Sequence, residues 1–150
     1  MSAEQQNHRN RDENAILTIL STQTADGETE RSELNTTAYF GRNGNEVTIK
    51  YTELDENGNT AGETVITVLD QQLVTIHKIG FAEAVMILEP GKTHPVKYST
   101  VFGDMEMLLC ALEIEAQFHP GGGRLQLRYL IDIGDSYSAQ NTIDLRVRLR

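Results

Sequence analysis

Gly123-Arg124-Leu125-Gln126-Leu127-Arg128-Tyr129-Leu130-Ile131-Asp132-Ile133 and, after a polar interval, Thr142-Ile143-Asp144-Leu145-Arg146-Val147-Arg148-Leu149-Arg150 decide the fold of this chain. In the first stretch Leu125, Leu127, Tyr129, Ile131 and Ile133 share one face, and Arg124, Gln126, Arg128 and Asp132 take the other. In the second, Ile143, Leu145, Val147 and Leu149 stand opposite Thr142, Asp144, Arg146, Arg148 and Arg150. Side chains of an extended chain point alternately to its two sides, so this period of two describes strands with one buried and one solvated face. For the apolar faces to coincide in an antiparallel pair, partner numbers must sum to an even number and the connection must hold an odd number of residues. A loop Asp135-Ser136-Tyr137 meets that condition and sets Arg128 opposite Asp144, a favourable cross-strand pair.

Working outward, similar runs predict strands at residues 15–23, 36–42, 47–54, 63–69, 73–78, 83–89, 95–101 and 105–118. Asn43-Gly44-Asn45 is an Asn-Gly hairpin signal, and residues 25–33 and 55–62 read as loops. That makes about ten strands and no convincing helix. Open sheets leave unpaired edges, so many short strands with turns at near-regular spacing point to closure. The expected fold is all-β: a single antiparallel, mostly up-and-down barrel of about eight to ten strands over residues 15–150, preceded by a disordered polar tail, 1–14.

Composition narrows the function. The chain has 150 residues and a net charge of −9, from 22 acidic and 13 basic side chains. General binding to nucleic acid or anionic membrane is disfavoured by that charge. No apolar run approaches the roughly 20 residues of a membrane helix, and the N-terminus lacks the apolar core of a signal peptide, so a cytoplasmic protein is expected. Cys110, the single cysteine, lies in an apolar run and reads as a buried, inert thiol.

The series Lys78-Ile79-Gly80, Met86-Ile87-Leu88-Glu89-Pro90-Gly91-Lys92, Tyr98-Ser99-Thr100-Val101-Phe102-Gly103-Asp104-Met105-Glu106 and Gly123-Arg124-Leu125-Gln126-Leu127-Arg128-Tyr129 resembles the YwiB-like family of small bacterial proteins. The similarity runs from Ile16 to Leu149 and is most specific across Tyr98 to Glu106. The resemblance implies a calycin, lipocalin-like barrel and brings no substrate or catalytic residue with it.

Residue patterns that ordinarily carry chemistry are weak here. Asp55-Glu56-Asn57-Gly58-Asn59 has its glycine at the wrong place for a calcium loop and no flanking helices, and reads as a solvated turn. His8, His77, His94 and His119 share no short ligand spacing, so no metal or other cofactor is expected; only a barrel bringing His77 beside His94 would change that. Ser99 and Thr100 lack the strand-to-helix elbow of a nucleophile. Glu113 and Glu115 fall on an outward face with Gln117, as solvated charges rather than an acid and base pair. Pro120-Gly121-Gly122-Gly123 precedes a strand rather than a helix, and so forms a wide flexible turn rather than a phosphate cradle. Arg124, Arg128, Arg146, Arg148 and Arg150 point outward, while residues 25–63 hold nine acidic side chains against three basic ones. That asymmetry offers an anion-binding or self-assembly face, to be weighed against ordinary solvated strand exteriors.

Three functional readings follow. The leading one is a binding module whose interior takes a small, largely apolar ligand, with Tyr51, Tyr98, Leu112, Tyr129 and Ile131 pointing inward by alternation. The second is a homodimer formed through an outward apolar face of Met105, Met107 and Leu109. The third is an enzyme with Lys78, His94, Tyr98 and Thr100 converging at the barrel mouth. Gly103, in the tight reversal after Phe102, is expected at positive φ, with Phe102 capping an end of the core.

Overall fold

The structure, a computed structural model, describes residues 12–134 and 137–150. Ten strands follow one another: β1 (Ala15–Ala25), β2 (Glu28–Asn43), β3 (Glu46–Leu54), β4 (Thr60–Leu69), β5 (Leu73–Gly80), β6 (Ala82–Leu88), β7 (Thr93–Thr100), β8 (Gly103–His119), β9 (Gly122–Ile133) and β10 (Tyr137–Leu149). Each pairs antiparallel with its sequence neighbours, and β1 also pairs with β10, so the sheet closes into an up-and-down barrel. Among the described residues no helix is long and apolar enough to cross a membrane.

Alternation decides what fills the barrel. Leu17, Ile49, Val68, Val74, Leu88, Leu125 and Leu145 are fully buried inside, while charged residues such as Glu113 and Arg128 alternate with them on the outside. This is the reverse of a membrane-spanning barrel, which turns its apolar side chains to lipid. At the end carrying the β2–β3, β4–β5 and β8–β9 turns, the interior is plugged by Phe40 and Phe118, their rings stacked with centroids 6.1 Å apart. Residues 13 and 14 brace this end from below: Asn14 holds the backbone of Phe40 through both its amide atoms, at 2.9 and 2.8 Å, and Glu13 accepts from Thr37 at 2.6 Å. The rest of the expected tail, residues 1–11, lies outside the described residues.

Several details depart from the sequence reading. Residues 28–33 are not loop but the first half of β2; the reversal is made by Asp26 and Gly27, both at positive φ. In the terminal hairpin the even-sum rule holds, but the register is displaced: Arg128 pairs with Thr142 and Asp144 with Gln126. Tyr137 is the first residue of β10 rather than part of the loop, and Asp135 and Ser136 lie outside the described residues. Asp144 is instead gripped diagonally by Arg124, Nε to Oδ1 at 2.9 Å and Nη2 to Oδ2 at 2.7 Å, and Arg128 reaches Glu113 of β8 at 3.3 Å. Arg124 and Arg128 are therefore engaged by neighbouring carboxylates, with Arg146 3.9 Å from Asp144, while Arg150 donates to the Glu13 carbonyl.

The expected wide turn at the glycine run is tight, with only Pro120 and Gly121 between β8 and β9. Gly122 and Gly123 belong to β9, where a Cβ on either would collide with a neighbouring backbone carbonyl, that of Val147 or of Gln117. These glycines serve close strand approach rather than flexibility.

The largest departure lies in β8. A register shift between Ala111 and Glu113 marks a β-bulge. Before it the odd residues Met107, Leu109 and Ala111 face the core, and after it the even residues Ile114, Ala116 and Phe118 do. Leu112, expected inside, is the inserted residue and stands 40% exposed on the outer surface. Leu109, expected outside, is 1% exposed, and Met107 packs against the core. The outward apolar face proposed for Met105, Met107 and Leu109 therefore does not exist. Leu108 and Leu112 are the exposed leucines of this strand. Cys110 is half-buried rather than buried.

Gly103 does adopt positive φ, at +125°, after a two-residue Val101-Phe102 turn. No atom lies within contact of the position a Cβ would take, so the cost of a side chain there is conformational. Gly103→Val is expected to lower stability by about 1 kcal/mol in urea unfolding, and an unchanged midpoint would contradict this. Phe102 does not cap the core: it is 98% exposed.

Candidate functional site

Inward positions change character along the barrel. Towards the plugged end they are aliphatic or aromatic; towards the other end the same alternation places Ser21, Gln23, Ser32, Tyr51, Thr64, Lys78, Tyr129 and Asn141. Between these layers lies a cavity of about 340 Å³. Ile66, Ile76, Met86, Leu125, Leu127 and Leu145 form its apolar part. It reaches solvent past Glu30 and Arg31 on β2. The ladder between β2 and β3 covers only Tyr39–Asn43 against Lys50–Glu46, so the first half of β2 pairs with β1 alone and leaves the upper part of β3 uncovered on that side. The wall is also thin at β6–β7, where only Ala82–Thr100 and Glu83–Ser99 are paired.

A polar network occupies one wall. Thr64, 1% exposed, donates to Glu53 Oε1 at 2.6 Å, and the Lys78 ammonium lies 3.0 Å from the same oxygen. Burial alone would raise the Glu53 carboxyl, but the Thr64 hydroxyl and the Lys78 ammonium outweigh it and hold it below its ordinary 4.5. Burial likewise works against the Lys78 charge, yet Glu53, with Tyr51 and Tyr98, leaves its pKa above the usual value. Burial also raises the Tyr51 phenol despite the nearby Lys78. A carboxyl whose folded pKa is lowered contributes stability that is present above its unfolded pKa and is lost as pH falls through the folded one. Glu53→Gln is therefore expected to be less stable than the parent at neutral pH, with the gap closing as the pH drops below about 4.5. Urea unfolding of both proteins across the acid range checks this, and a gap that persists there would show that Glu53 acts through something other than its charge.

On the facing wall, Tyr129 of β9 and Asn141 of β10 are direct cross-strand partners. Burial pushes the Tyr129 phenol up to about 12, so it stays protonated and a donor. Asn141 is 9% exposed, and its Nδ2 is buried without a hydrogen-bond partner.

Of the side chains singled out by sequence, Tyr51, Lys78 and Tyr129 line the cavity. Tyr98 and Ile131 point inward and pack against the core without lining it. His94 sits in the lower half of β7, held by Glu89 of the β6–β7 turn at 3.0 Å. The Thr100 hydroxyl folds onto its own turn, donating to Gly103 O at 3.2 Å. Leu112 is outside. Of the four groups expected to converge at the mouth, Lys78 and Tyr98 come near enough to interact, whereas the Thr100 hydroxyl is turned to its own loop and His94 stands four residues from Tyr98 on one strand, roughly 13 Å at 3.3 Å per residue. His77 is exposed on the outer side of β5 and does not meet His94. Among the described residues no three His, Cys, Asp or Glu side chains gather as metal ligands would.

Glu53, Thr64 and Asn141 were not singled out, although each carries a readable signal. Glu53 is in phase with Val47, Ile49 and Tyr51, Thr64 with Ile66 and Val68, and Asn141 with Ile143 and Leu145. A polar residue in the phase of a buried face is the mark of an internal polar site.

Comparison with known proteins agrees with this architecture. No curated protein matches the chain. The crystal structure of ywiB protein from Bacillus subtilis is similar, with a TM-score of 0.75 and 23% identity over 88% of this chain and 89% of that one. A structural-genomics protein of unknown function from Bacteroides ovatus aligns with a TM-score of 0.36 and 9% identity over 91% of this chain and 41% of its own. Residues 17–145 match the family model described as a domain of unknown function, DUF1934, and with nearly the whole barrel covered by that match, the chain belongs to the DUF1934 family.

Proposed function

We propose that the protein is a binding module that takes one small, largely apolar molecule into the open end of its barrel. The observation that carries this is the cavity of about 340 Å³, within the size range of small-molecule sites, with an aliphatic base below a layer of polar side chains. The other end of the barrel is closed by packed aromatics, so the cavity is a cup rather than a channel. Charged exteriors and a single half-buried cysteine support a cytoplasmic setting.

Dimethylaminonaphthalene, a compact apolar fluorophore, tests the reading. Its emission is expected to rise and shift blue on titration with the protein. Met86→Trp, which adds bulk to the cavity wall, should weaken binding at least tenfold while circular dichroism stays unchanged. Undiminished binding by the folded variant, or no binding to the parent, would sink the proposal.

A second reading is favoured by a separate observation. Leu108 and Leu112 are exposed on the outside of β8, and Leu108 is paired with Pro95 of β7. We propose that this stripe can serve as the face of a homodimer. Light scattering should then give twice the monomer mass at high micromolar concentration; a monomer there ends this second reading and leaves the first intact.

A further inference from the structure

The two walls of the cavity differ in whether their polar groups are already used. On β3, β4 and β5 the groups satisfy one another: Thr64 and Lys78 both serve Glu53, and Tyr51 lies within reach of Thr64 and Lys78. About halfway round the barrel, Tyr129 and Asn141 face each other across the β9–β10 ladder and both line the cavity. Directly opposed inward side chains have Cβ atoms about 5 Å apart, so their polar ends can converge on one ligand atom. Asn141 Nδ2 has no partner, and among the described residues no hydrogen bond engages the Tyr129 hydroxyl. Gln23, registered beside Asn141 on β1, is already committed to the Tyr137 hydroxyl at 2.7 Å. A buried donor left unpaired costs free energy, and native interiors rarely carry one without a use.

We propose that Tyr129 and Asn141 form the polar recognition point of the cavity, and that the ligand is an uncharged molecule with an apolar body and a carbonyl oxygen, as in a ketone, ester or amide. This deepens the binding-module reading and rests on it. The carbonyl oxygen accepts from the Asn141 amide and the Tyr129 hydroxyl, while the body lies against Ile66, Ile76, Leu125 and Leu127. The electrostatics select against an anion. Both free donors are neutral, and the Lys78 charge is already matched by Glu53. Arg31, at the edge of the cavity, is exposed where water screens it. A carboxylate entering here would lose its hydration with no counter-charge to replace it. A carbonyl loses only hydrogen bonds that the pair returns.

The test compares Prodan, which carries a ketone on the same dimethylaminonaphthalene frame, with dimethylaminonaphthalene itself. Prodan should bind the parent about tenfold more tightly, the equivalent of one net hydrogen bond. Its bound emission should carry the red shift of a hydrogen-bonded carbonyl. Tyr129→Phe and Asn141→Leu should each bring the ratio of the two affinities close to one and shift bound Prodan to the blue; Tyr129→Phe is the milder change and serves if Asn141→Leu does not fold. Equal binding of the two probes by the parent, or folded variants that alter both probes alike or neither, would overturn this inference while leaving the cavity reading in place. Failure of both probes to enter would overturn both.

Discussion

Leu109→Asp is expected to destabilise the barrel by about 4 kcal/mol or more, whereas Leu108→Asp, one residue earlier and across from Asp132 on the outer face, should cost no more than about 1 kcal/mol. The contrast comes from the bulge between Ala111 and Glu113. With it, Leu109 is enclosed by the core and Leu108 is exposed. An aspartate at 109 stands across from His94, which Glu89 already engages, so it must either be buried charged or protonate, and both are costly. A loss of this size is a large share of a typical domain's 5–15 kcal/mol, as order-of-magnitude bounds. Urea unfolding of the two variants decides it. If Leu108→Asp proved the damaging change, β8 would keep a single uninterrupted alternation and the inward set of this strand would be wrong.

Asn141→Leu is expected to act in the opposite direction, raising the stability of the empty protein by about 1–3 kcal/mol, the usual cost of a buried polar group left unsatisfied. For a chain of this size each kcal/mol moves the melting temperature by roughly 2–4 °C. The leucine is close in shape to the amide it replaces and joins Leu127, Ile143 and Leu145 around it. A stabilising substitution that also erases a ligand preference is the pattern of a residue retained for binding rather than folding. A variant less stable than the parent by a comparable amount would mean that the amide supports the barrel itself.

The fold was legible where one face is apolar and the other polar without interruption, as in Leu125 to Ile133 and Ile143 to Leu149. It was obscured in two physically distinct ways. In Leu108-Leu109-Cys110-Ala111-Leu112 both faces are apolar, so a phase change leaves no trace in the pattern, and extending one phase through it sent Leu109 outward and Leu112 inward. In Glu28 to Leu34 the inward positions Glu28, Glu30 and Ser32 are polar because they stand at the open end, so the first half of β2 resembled a loop. The terminal hairpin shows a further limit: parity fixes which faces meet but admits registers two residues apart, and the Arg124–Asp144 pair forms diagonally instead of the anticipated Arg128–Asp144 pair. For the cavity, alternation is enough to bring Tyr51 and Tyr129 inside, and Lys78, expected at the barrel mouth, lines it as well. Asn141 escaped because the strand was begun at Thr142, although its phase with Ile143 already placed it inward. Which polar groups are paired and which are free depends on contacts between strands far apart in sequence, such as Glu53 with Lys78, and no local pattern encodes that.

The central claim is that the open end of the barrel holds a small apolar molecule. An amide-resolved NMR titration with dimethylaminonaphthalene tests it most directly, because it reports where the molecule sits as well as whether it binds. Saturable shifts are expected to concentrate at Ile66, Ile76, Leu127 and Asn141, with the outer leucines Leu108 and Leu112 and the Phe40–Phe118 floor little affected. Shifts centred on Leu108 and Leu112, or a spectrum that does not change, would contradict it.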